Sequence, residues 1–322
     1  MDSIVQESDK LISSEKNFIG VMKDKNFAKK NSQILENNFI QALKNPDFVK
    51  VVNTLDVPDE IKYRYTSSLQ EVASNVSICK NCKGLSFCPF SLKGVRKDVY
   101  AENGLIKFIY RDCPYKEKVD KENAYLKNIY LYKIPQEISK ASFKKVYTDD
   151  AKRLETIKYL KDFYDNYRKN KEGKGLYLYG NFGCGKTYLV AALFNELAKK
   201  GFQSTIVYFP EFLRSLKASF GNIDDNYDDK FERVANSPLL LLDDIGAEKL
   251  TDWARDEVLG VILQHRMEEN LPTFLTSNLS LKELEEHLEI TNSAANKVKA
   301  RRIIERIKYL TQEIKMISVN RR

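Results

Sequence analysis

The sequence predicts an α/β fold with three layers around a parallel sheet, preceded by a helical region and a small cysteine-rich module. Three observations predict it. From about residue 150 onward, strand-like and helix-like segments alternate along the chain, which is typical of a parallel sheet covered by helices. A glycine-rich loop joins one such strand to the next helix. Before this part, apolar residues recur at helical spacing, and four of the five cysteines lie within residues 79–113.

Composition limits the class of protein. The 322 residues are enough for one ordinary domain and a smaller one. Charges of both signs are plentiful, the formal net charge is +8, and no stretch has the roughly 20 apolar residues of a membrane-spanning helix, so we expect no membrane partner. The start of the chain lacks the pattern of an export signal, which predicts a cytoplasmic protein with reduced cysteines. The positive surplus is compatible with a polyanionic partner, although many proteins with this balance bind no nucleic acid.

Residues 1–75 are predicted to be helical. Apolar residues such as Phe18, Met22 and Phe39 belong to runs with helical spacing. The region shows no catalytic constellation.

Residues 76–140 are predicted to form the cysteine-rich module and a linker. Glycine, proline and aromatic residues interrupt the helical pattern around the cysteines. Farther on, Ile134-Pro135 favours an extended tether. The α/β domain is expected to occupy residues 141–322.

A phosphate-binding loop is predicted where a strand-like run meets a helix-like one. Its glycines let backbone amides turn toward phosphate oxygens, which a β-carbon would obstruct. Lys186 would reach the β- and γ-phosphates, Thr187 would offer its hydroxyl to Mg²⁺, and the helix would direct its positive end at the anion. An accidental Lys-Thr pair in a glycine-rich turn is the alternative. The residues assigned to the nucleotide are Gly180, Asn181, Phe182, Gly183, Cys184, Gly185, Lys186 and Thr187.

A second strand ends in two carboxylates. Four leucines at residues 239–242 precede Asp243 and Asp244, and α/β sheets bind ligands at the carboxyl ends of their strands. In this Walker B pattern, Asp243 would hold Mg²⁺ and Asp244 would orient or deprotonate the water that attacks the γ-phosphate. An ordinary strand end can also carry Asp-Asp. Loop and strand together predict an ATPase that uses ATP and Mg²⁺.

Two further groups are candidates for the same reaction. The strand-like residues 271–278 end in polar side chains, and Asn278 would lie beside the γ-phosphate, unless these residues only cap the next helix. The basic helix at residues 297–308 places Arg302 and Arg306 one turn apart. One of these arginines would act in trans on the phosphoryl group of a neighbouring subunit. A solvated basic face is the alternative.

The cysteine-rich module predicts a metal site. Cys79, Cys82, Cys88 and Cys113 supply four thiolates, the number that a closed tetrahedral Zn²⁺ site needs. Such a site would be structural, since four protein ligands leave no position for water. A short module with little apolar material would need the metal ion to stabilise its fold. The spacing is irregular, and reduced unpaired thiols or a redox pair are the alternatives.

Four patterns taken together resemble the AAA+ helicase loaders of bacterial replication, the DnaI/DnaC type. They are residues 180–187, the run Leu-Leu-Leu-Leu-Asp-Asp-Ile-Gly-Ala-Glu at residues 239–248, Thr276-Ser-Asn278, and Arg302-Ile-Ile-Glu-Arg306. The amino-terminal helices and cysteine module are similar to the DnaI-type loaders of low-GC Gram-positive bacteria, and this likeness implies that residues 1–75 bind the helicase. By this resemblance the domain is a P-loop AAA+ ATPase, Asn278 is its sensor 1, and Arg306 is preferred over Arg302 as the arginine finger.

The resemblance also implies a function. It implies an ATP-dependent loader of the replicative DNA helicase hexamer onto single-stranded DNA, in primosome assembly at replication initiation or restart. The implied partners are that helicase, single-stranded DNA, other primosome proteins and further copies of the ATPase domain.

Residues 207–217 are a candidate segment for contacts with single-stranded DNA, because they combine aromatic and basic side chains. Core packing explains Tyr208, Phe209 and Phe212 equally well.

Two other functions stay open. An IstB-like transposition helper shares the same ATPase signatures and has a transposase as its partner. The second is an adaptor that contains zinc and binds nucleotide without hydrolysing it, because AAA+ ATPases usually carry Glu where Asp244 stands. The cysteine module and the long helical region favour the loader. The shorter Asp244 side chain predicts slow hydrolysis that partners stimulate.

Overall fold

A computed structural model describes residues 25–147, 150–220 and 226–320. Backbone contacts divide the chain into one unit that ends at Glu122 and another that begins at Asn123. Phe18 and Met22, for which the sequence predicts a helix, lie outside the described residues. No helix in the described ranges is long and apolar enough to cross a membrane.

The first unit begins with helices and continues with a β-hairpin. The elements are α1 (Lys25–Ala42), α2 (Pro46–Asn53), α3 (Asp59–Arg64), α4 (Thr66–Lys80), a 3-10 turn (Leu85–Phe87), β1 (Val95–Glu102), β2 (Leu105–Asp112) and α5 (Pro114–Asn123). Asn45 caps α2 by accepting a hydrogen bond from the Asp47 amide at 2.9 Å, and Pro46 occupies the first helical turn. Both features favour a helix start.

The helices and the hairpin share one core. Phe39, Phe48 and Leu69 from the helices pack with Val99 and Ile106 from the hairpin. The sequence predicts that the cysteine-rich region is a module with little apolar material of its own. The structure differs because hairpin side chains turn inward onto the helices.

The second unit is built on a six-stranded parallel sheet. A 3-10 turn (Ala124–Asn128) leads into β3 (Ile129–Tyr132), which is followed by β4 (Gly175–Tyr179), β5 (Ser204–Tyr208), β6 (Leu240–Ile245), β7 (Thr273–Ser277) and β8 (Thr311–Lys315). The strand order is β3-β5-β6-β7-β4-β8, and all neighbours are parallel. The predicted α/β fold with a parallel sheet is therefore confirmed.

Helices cover both faces of the sheet. They are α6 (Gln136–Ser139), α7 (Ala151–Asn170), α8 (Lys186–Ala198), α9 (Phe209–Ala218), α10 (Tyr227–Ala235), α11 (Gly260–Glu268), α12 (Leu281–Leu288) and α13 (Ala294–Leu310), with a 3-10 turn at Phe143–Lys145 and a π-helix at Trp253–Leu259. Leu240 and Leu242 belong to one core, whereas Leu239 and Leu241 belong to the core on the opposite face. Because both faces are buried, the strand is a continuous apolar run.

Residues 123–140 belong to the second unit, although the sequence analysis assigned residues 76–140 to the cysteine module and a linker. β3 is an edge strand of the sheet and pairs with β5. After β3, the side-chain amide of Asn195 in α8 donates to the carbonyls of Ser139 and Ala141 at 3.2 and 2.6 Å. A four-residue strand is too short to show a clear period in the sequence.

Candidate functional site

The predicted loop and acids meet at one edge of the sheet. β7 lies between β4, which leads into the loop, and β6, which carries the two carboxylates. Since the carboxyl ends of parallel strands lie at the same edge, Asn278 comes between loop and acids. Lys186, Thr187, Asp243, Asp244 and Asn278 all line one cavity of about 840 Å³. This volume is within the range usual for small-molecule sites.

Lys186 is a buried cation held by oxygens at the start of α8. Its Nζ donates to the carbonyls of Gly180 and Asn181, both at 3.0 Å, and to Oδ1 of Asn278 at 2.8 Å. Only 8% of the residue is exposed. Phosphate oxygens would replace these neutral acceptors with charged ones, and charge-assisted hydrogen bonds are the stronger kind.

Asp243 lies where a magnesium ligand is expected. Its Oδ1 accepts hydrogen bonds from the hydroxyls of Thr187 at 2.6 Å and Thr276 at 2.5 Å. Burial raises the pKa of the Asp243 carboxyl, and the two hydroxyl donors oppose that rise. The Thr187 hydroxyl and the Asp243 carboxylate are the pair through which P-loop proteins hold Mg²⁺, a cation that prefers oxygen ligands. The residues present therefore fit the metal.

Asp244 has an unusual backbone. Its φ is 60°, in a region that residues other than glycine adopt rarely, and the β6–β7 pairing is irregular at this point. The Asp244 amide donates to the Thr276 hydroxyl at 3.0 Å. Asn278 Nδ2 donates to the Asp244 carboxylate, also at 3.0 Å. Asn278 thus bridges Asp244 and Lys186.

A buried carboxylate that the sequence analysis did not assign supports the turn after Asp244. Glu248 Oε2 accepts a hydrogen bond from the Gly246 amide at 2.8 Å. Burial raises the pKa of Glu248, and the backbone amide donors lower it. His287 Nε2 of α12 lies 4.0 Å from Glu248 Oε1. Glu248 belongs to the Asp-Asp-Ile-Gly-Ala-Glu run, but its position in that run does not by itself indicate which group the carboxylate contacts.

Part of the cavity wall is apolar. Ile134, Ile138 and Val146, from the segment that precedes α7, line it together with Tyr188 of α8 and Arg153 of α7. Apolar and aromatic walls suit the flat base of a nucleotide. Three of these residues precede the predicted start of the helix at residue 150 and carry no motif, so only the tertiary structure identifies them.

Three loop residues that the sequence analysis assigned to the nucleotide do not line the cavity. Phe182, Gly183 and Gly185 line it, whereas Gly180, Asn181 and Cys184 do not. Cys184 is fully buried, and its Sγ contacts the Met316 carbonyl at 3.6 Å. Gly180, Asn181 and Cys184 instead face the segment after β8.

Arg302 and Arg306 do not reach this cavity. They border a separate shallow hollow on α13. Arg302 is exposed, and Arg306 Nη1 donates to the Gly260 carbonyl at 2.9 Å. Burial, together with the neighbouring charge of Arg302, lowers the pKa of Arg306. A catalytic role for either arginine would therefore be directed at the cavity of a neighbouring molecule.

The segment considered for DNA contacts is mostly core. Phe209 and Phe212 are fully buried, and Tyr208 borders the nucleotide cavity. Packing therefore explains Phe209 and Phe212.

The four candidate zinc ligands lie in the first unit. Cys79 is in the last turn of α4, Cys82 and Cys88 border the same small hollow, and Cys113 follows β2. Burial raises the pKa of the Cys79 thiol, the charge of Arg96 lowers it, and the other three cysteines raise it further. Among the described residues, no group of three or more His, Cys, Asp or Glu side chains is arranged to hold a metal ion. The four cysteines are free, half-buried thiols.

Fold and site define a nucleotide-binding protein of the P-loop class, with the AAA+ arrangement of a glycine-rich loop, an acidic strand and a polar residue after the strand between them. Residues 117–313 match the family described as IstB-like ATP binding protein. The replicative helicase loader DnaI of Bacillus subtilis is 39% identical over 312 residues, which cover 94% of this chain and 91% of that relative. The chain therefore belongs to the DnaI family of replicative helicase loaders within the IstB-like ATP-binding proteins.

Two solved structures agree with this assignment. The crystal structure of DnaI is 45% identical with a TM-score of 0.54 and covers 59% of this chain and 98% of its own. A putative primosome component from Streptococcus pyogenes serotype M3 is 37% identical with a TM-score of 0.53, and covers 63% of this chain and 100% of its own.

Proposed function

We propose that this chain is an ATP-driven loader that places a hexameric replicative helicase on single-stranded DNA during primosome assembly in the cytoplasm. The observation that carries the proposal is that the likeness to a helicase loader runs through both units of the chain. The IstB-like match, by contrast, omits most of the first unit. A transposition helper would share the ATPase unit without the helices and hairpin before it.

Binding to the helicase tests this function. The full-length chain, immobilised with Mg²⁺ and ATP, is expected to retain the purified hexameric helicase of the same cell, whereas the bare matrix retains none. Retention of a transposase in place of the helicase would assign the chain to the transposition helpers. Absence of helicase with ATP, with ADP and without nucleotide would defeat the loader proposal.

The nucleotide chemistry follows from the cavity. Lys186 would bind the β- and γ-phosphates, and Thr187 with Asp243 would hold Mg²⁺. Asp244 would orient the attacking water, and Asn278 would report whether the γ-phosphate is present. The short Asp244 side chain leaves the water a longer reach, so we expect slow hydrolysis.

Self-association would complete the site. Because Arg302 and Arg306 border a hollow away from their own cavity, an arginine finger must come from another copy of the chain. Phosphate release per chain is then expected to rise with chain concentration, and to rise further with helicase and single-stranded DNA. A rate per chain that does not depend on concentration would exclude action in trans. No release under any of these conditions would make the chain a non-hydrolysing adaptor.

A surface beside α9 and α10 supports the DNA proposal better than the buried aromatic residues do. The rings of Phe220 and Tyr227 are stacked with centroids 5.4 Å apart, and Trp253 meets Phe220 edge-on at 5.5 Å. Lys217 Nζ lies 5.3 Å from the Trp253 ring centroid. Phe220 is 58% exposed. Aromatic faces with a cation are the means by which proteins bind single strands without sequence preference.

Substituting Phe220→Ala is expected to weaken binding of a fluorescein-labelled oligothymidylate about tenfold, because each stacked base contributes roughly 1–3 kcal/mol. Fluorescence anisotropy at fixed salt measures the change. Tyr309→Ala is the matched control, since Tyr309 is an equally exposed aromatic residue of the same unit at 59%. Equal dissociation constants for Phe220→Ala and the unaltered chain would remove this surface from the proposal.

The proposal that the four cysteines bind zinc rests on the chemistry of their sulfur atoms. The Gly94 amide donates to Cys88 Sγ at 3.2 Å, and the Gly84 amide to Cys82 Sγ at 3.5 Å. Hydrogen bonds of this kind favour the thiolate form that binds metal. The Cys113 amide is tied to the same turn through the Gly94 carbonyl at 2.7 Å. Four sulfur donors from one neighbourhood suit a structural Zn²⁺ ion.

Purification under reducing conditions is expected to yield about one zinc ion per chain by elemental analysis. Cys79→Ser should lower both the zinc content and the thermal midpoint, since bound metal stabilises the folded form. Cys184→Ser is the control, because this buried cysteine lies in the other unit and its loss should leave the zinc content unchanged. An unaltered chain without zinc would contradict the proposal.

A further inference from the structure

The segment after β8 continues along the phosphate-binding loop. Its side chains alternate, with Met316 and Ser318 buried and with Ile317 and Val319 exposed at 44% and 62%. This is the alternation of a strand. The Met316 amide donates to the Tyr179 carbonyl at 2.7 Å. The pairing with β4 therefore continues beyond β8 to Met316, which is bonded to the last residue of β4.

Two glycines of the loop make room for this segment. A β-carbon on Gly180 would stand 1.9 Å from the Met316 carbonyl oxygen, and one on Gly183 would stand 2.1 Å from Asn320 Oδ1. The first contact involves backbone on both sides, so no side-chain movement relieves it. The glycines thus serve the contact with residues 316–320 as well as the phosphate cradle.

Asn181 joins the loop to this segment at two points. Its Nδ2 donates to the Ser318 carbonyl at 2.6 Å, and the Ser318 amide donates to its Oδ1 at 3.1 Å. Both halves of the side-chain amide are thereby used. No other residue type of this size offers a donor and an acceptor at one planar end. Asn181 therefore connects the loop to residues 316–320 through a specific pair of hydrogen bonds.

Ser318 extends the connection to α7. Its hydroxyl donates to Asp150 Oδ2 at 2.6 Å, and Asp150 Oδ1 caps α7 by accepting from the Lys152 amide at 3.0 Å. One turn into α7, Arg153 lines the nucleotide cavity. Residues 316–320 thus connect the phosphate-binding loop with the helix that forms another wall of the same cavity.

We propose that residues 316–320 form a latch that holds the phosphate-binding loop in its binding conformation and thereby sets the affinity for Mg·ATP. Asn181 and Ser318 are its positioning residues, and neither lines the cavity. The proposal rests on the proposed nucleotide-binding function. A loop that is already ordered loses less entropy when ligand binds. By linkage, a latch that favours nucleotide is itself stabilised by nucleotide.

Substitutions in the latch test its role. Asn181→Ala removes two hydrogen bonds and is expected to raise the Kd of Mg·ATP about tenfold in calorimetry. Ser318→Ala removes the bond to Asp150 and should raise it about threefold, whereas Ser318→Thr keeps the hydroxyl and should retain the original Kd. Val319→Ser, on the exposed side of the same segment, is the matched control. An unchanged Kd in both Asn181→Ala and Ser318→Ala would overturn the latch.

Hydrogen exchange on the unaltered chain tests the reciprocal effect and does not depend on any variant folding. Saturating Mg·ATP is expected to slow amide exchange at residues 316–320 at least about tenfold. Exchange that nucleotide does not change would overturn the proposal. The two possible failures are distinct, because an unaltered chain that takes up no Mg·ATP defeats the nucleotide site itself. Uptake by the unaltered chain, with equal affinity in both Asn181→Ala and Ser318→Ala, defeats only the latch.

Discussion

Replacing Lys186 with alanine is expected to lower the affinity for Mg·ATP at least about 100-fold, a loss of roughly 3 kcal/mol. The ammonium group is buried and already gathers three oxygens, including the side-chain oxygen of Asn278 at 2.8 Å. Without the ammonium group, bound phosphates would lie beside desolvated backbone with no positive charge to balance their own. Isothermal titration calorimetry on the full chain, with Mg²⁺ present, measures the loss.

Lys145→Ala supplies a charge-matched control. Lys145 lines the same cavity but is exposed, so its loss is expected to change the affinity by no more than about threefold. Full retention of ATP affinity by Lys186→Ala would defeat the assignment of residues 180–187 as a phosphate-binding loop.

Replacing Asp243 with asparagine is expected to have two opposite effects. The magnesium-dependent part of ATP affinity should disappear, because an amide does not replace a carboxylate as a Mg²⁺ ligand. The nucleotide-free chain should become more stable at neutral pH, because the variant no longer buries a charge at a residue that is only 8% exposed. The two hydroxyl donors that serve Asp243 Oδ1 still find an acceptor in the asparagine oxygen.

The pH dependence follows from the direction of the pKa shift. Burial raises the pKa of Asp243 above its ordinary value of 3.8, so the folded chain keeps a proton that the unfolded chain has lost. The unfolding free energy contributed by this group therefore falls as pH rises from 3.8 through the raised pKa, and the whole cost remains above it. Asp243→Asn should remove this slope.

Thermal melts without Mg²⁺ and nucleotide, between about pH 4 and pH 8, measure the effect as the difference between variant and unaltered chain. Asp162→Asn, an exposed position on α7, controls for the general loss of one negative charge. A variant that melts lower than the unaltered chain at neutral pH would contradict the argument. So would a variant that still binds ATP in a magnesium-dependent way.

The stability and the function of this site oppose each other. Asp243, the proposed magnesium ligand, is a buried carboxylate, and Asp244 holds a backbone conformation that few residues adopt. Such exceptions to local preference are common where a protein binds its ligand. Asp243→Asn is accordingly expected to gain stability and to lose magnesium-dependent binding of ATP.

Much of the ATPase unit was predictable from its sequence. The loop at residues 180–187 follows a short apolar strand and begins a helix, and the four leucines before Asp243 are compatible with a strand buried on both faces. These signals are local, because the backbone amides, the strand and the helix that bind phosphate are consecutive in the chain. Asn278 was predictable as well, since parallel strands bring their carboxyl ends together.

Other features had no local signal. β3 and the apolar wall at Ile134 and Ile138 come from a segment with the composition of a linker, because a short edge strand is recognised only by its neighbour. The hairpin of the first unit joins a core supplied by helices that precede it in the chain.

The sequence by itself determined the class of chemistry, since the residue types that bind phosphate and magnesium are consecutive or repeat at the ends of strands. Only the tertiary structure decided which loop residues line the cavity, and it directs the Asn181 side chain to Ser318, 137 positions away. Hydrogen bonds between distant residues depend on the path of the chain in space, and no spacing in the sequence records that path.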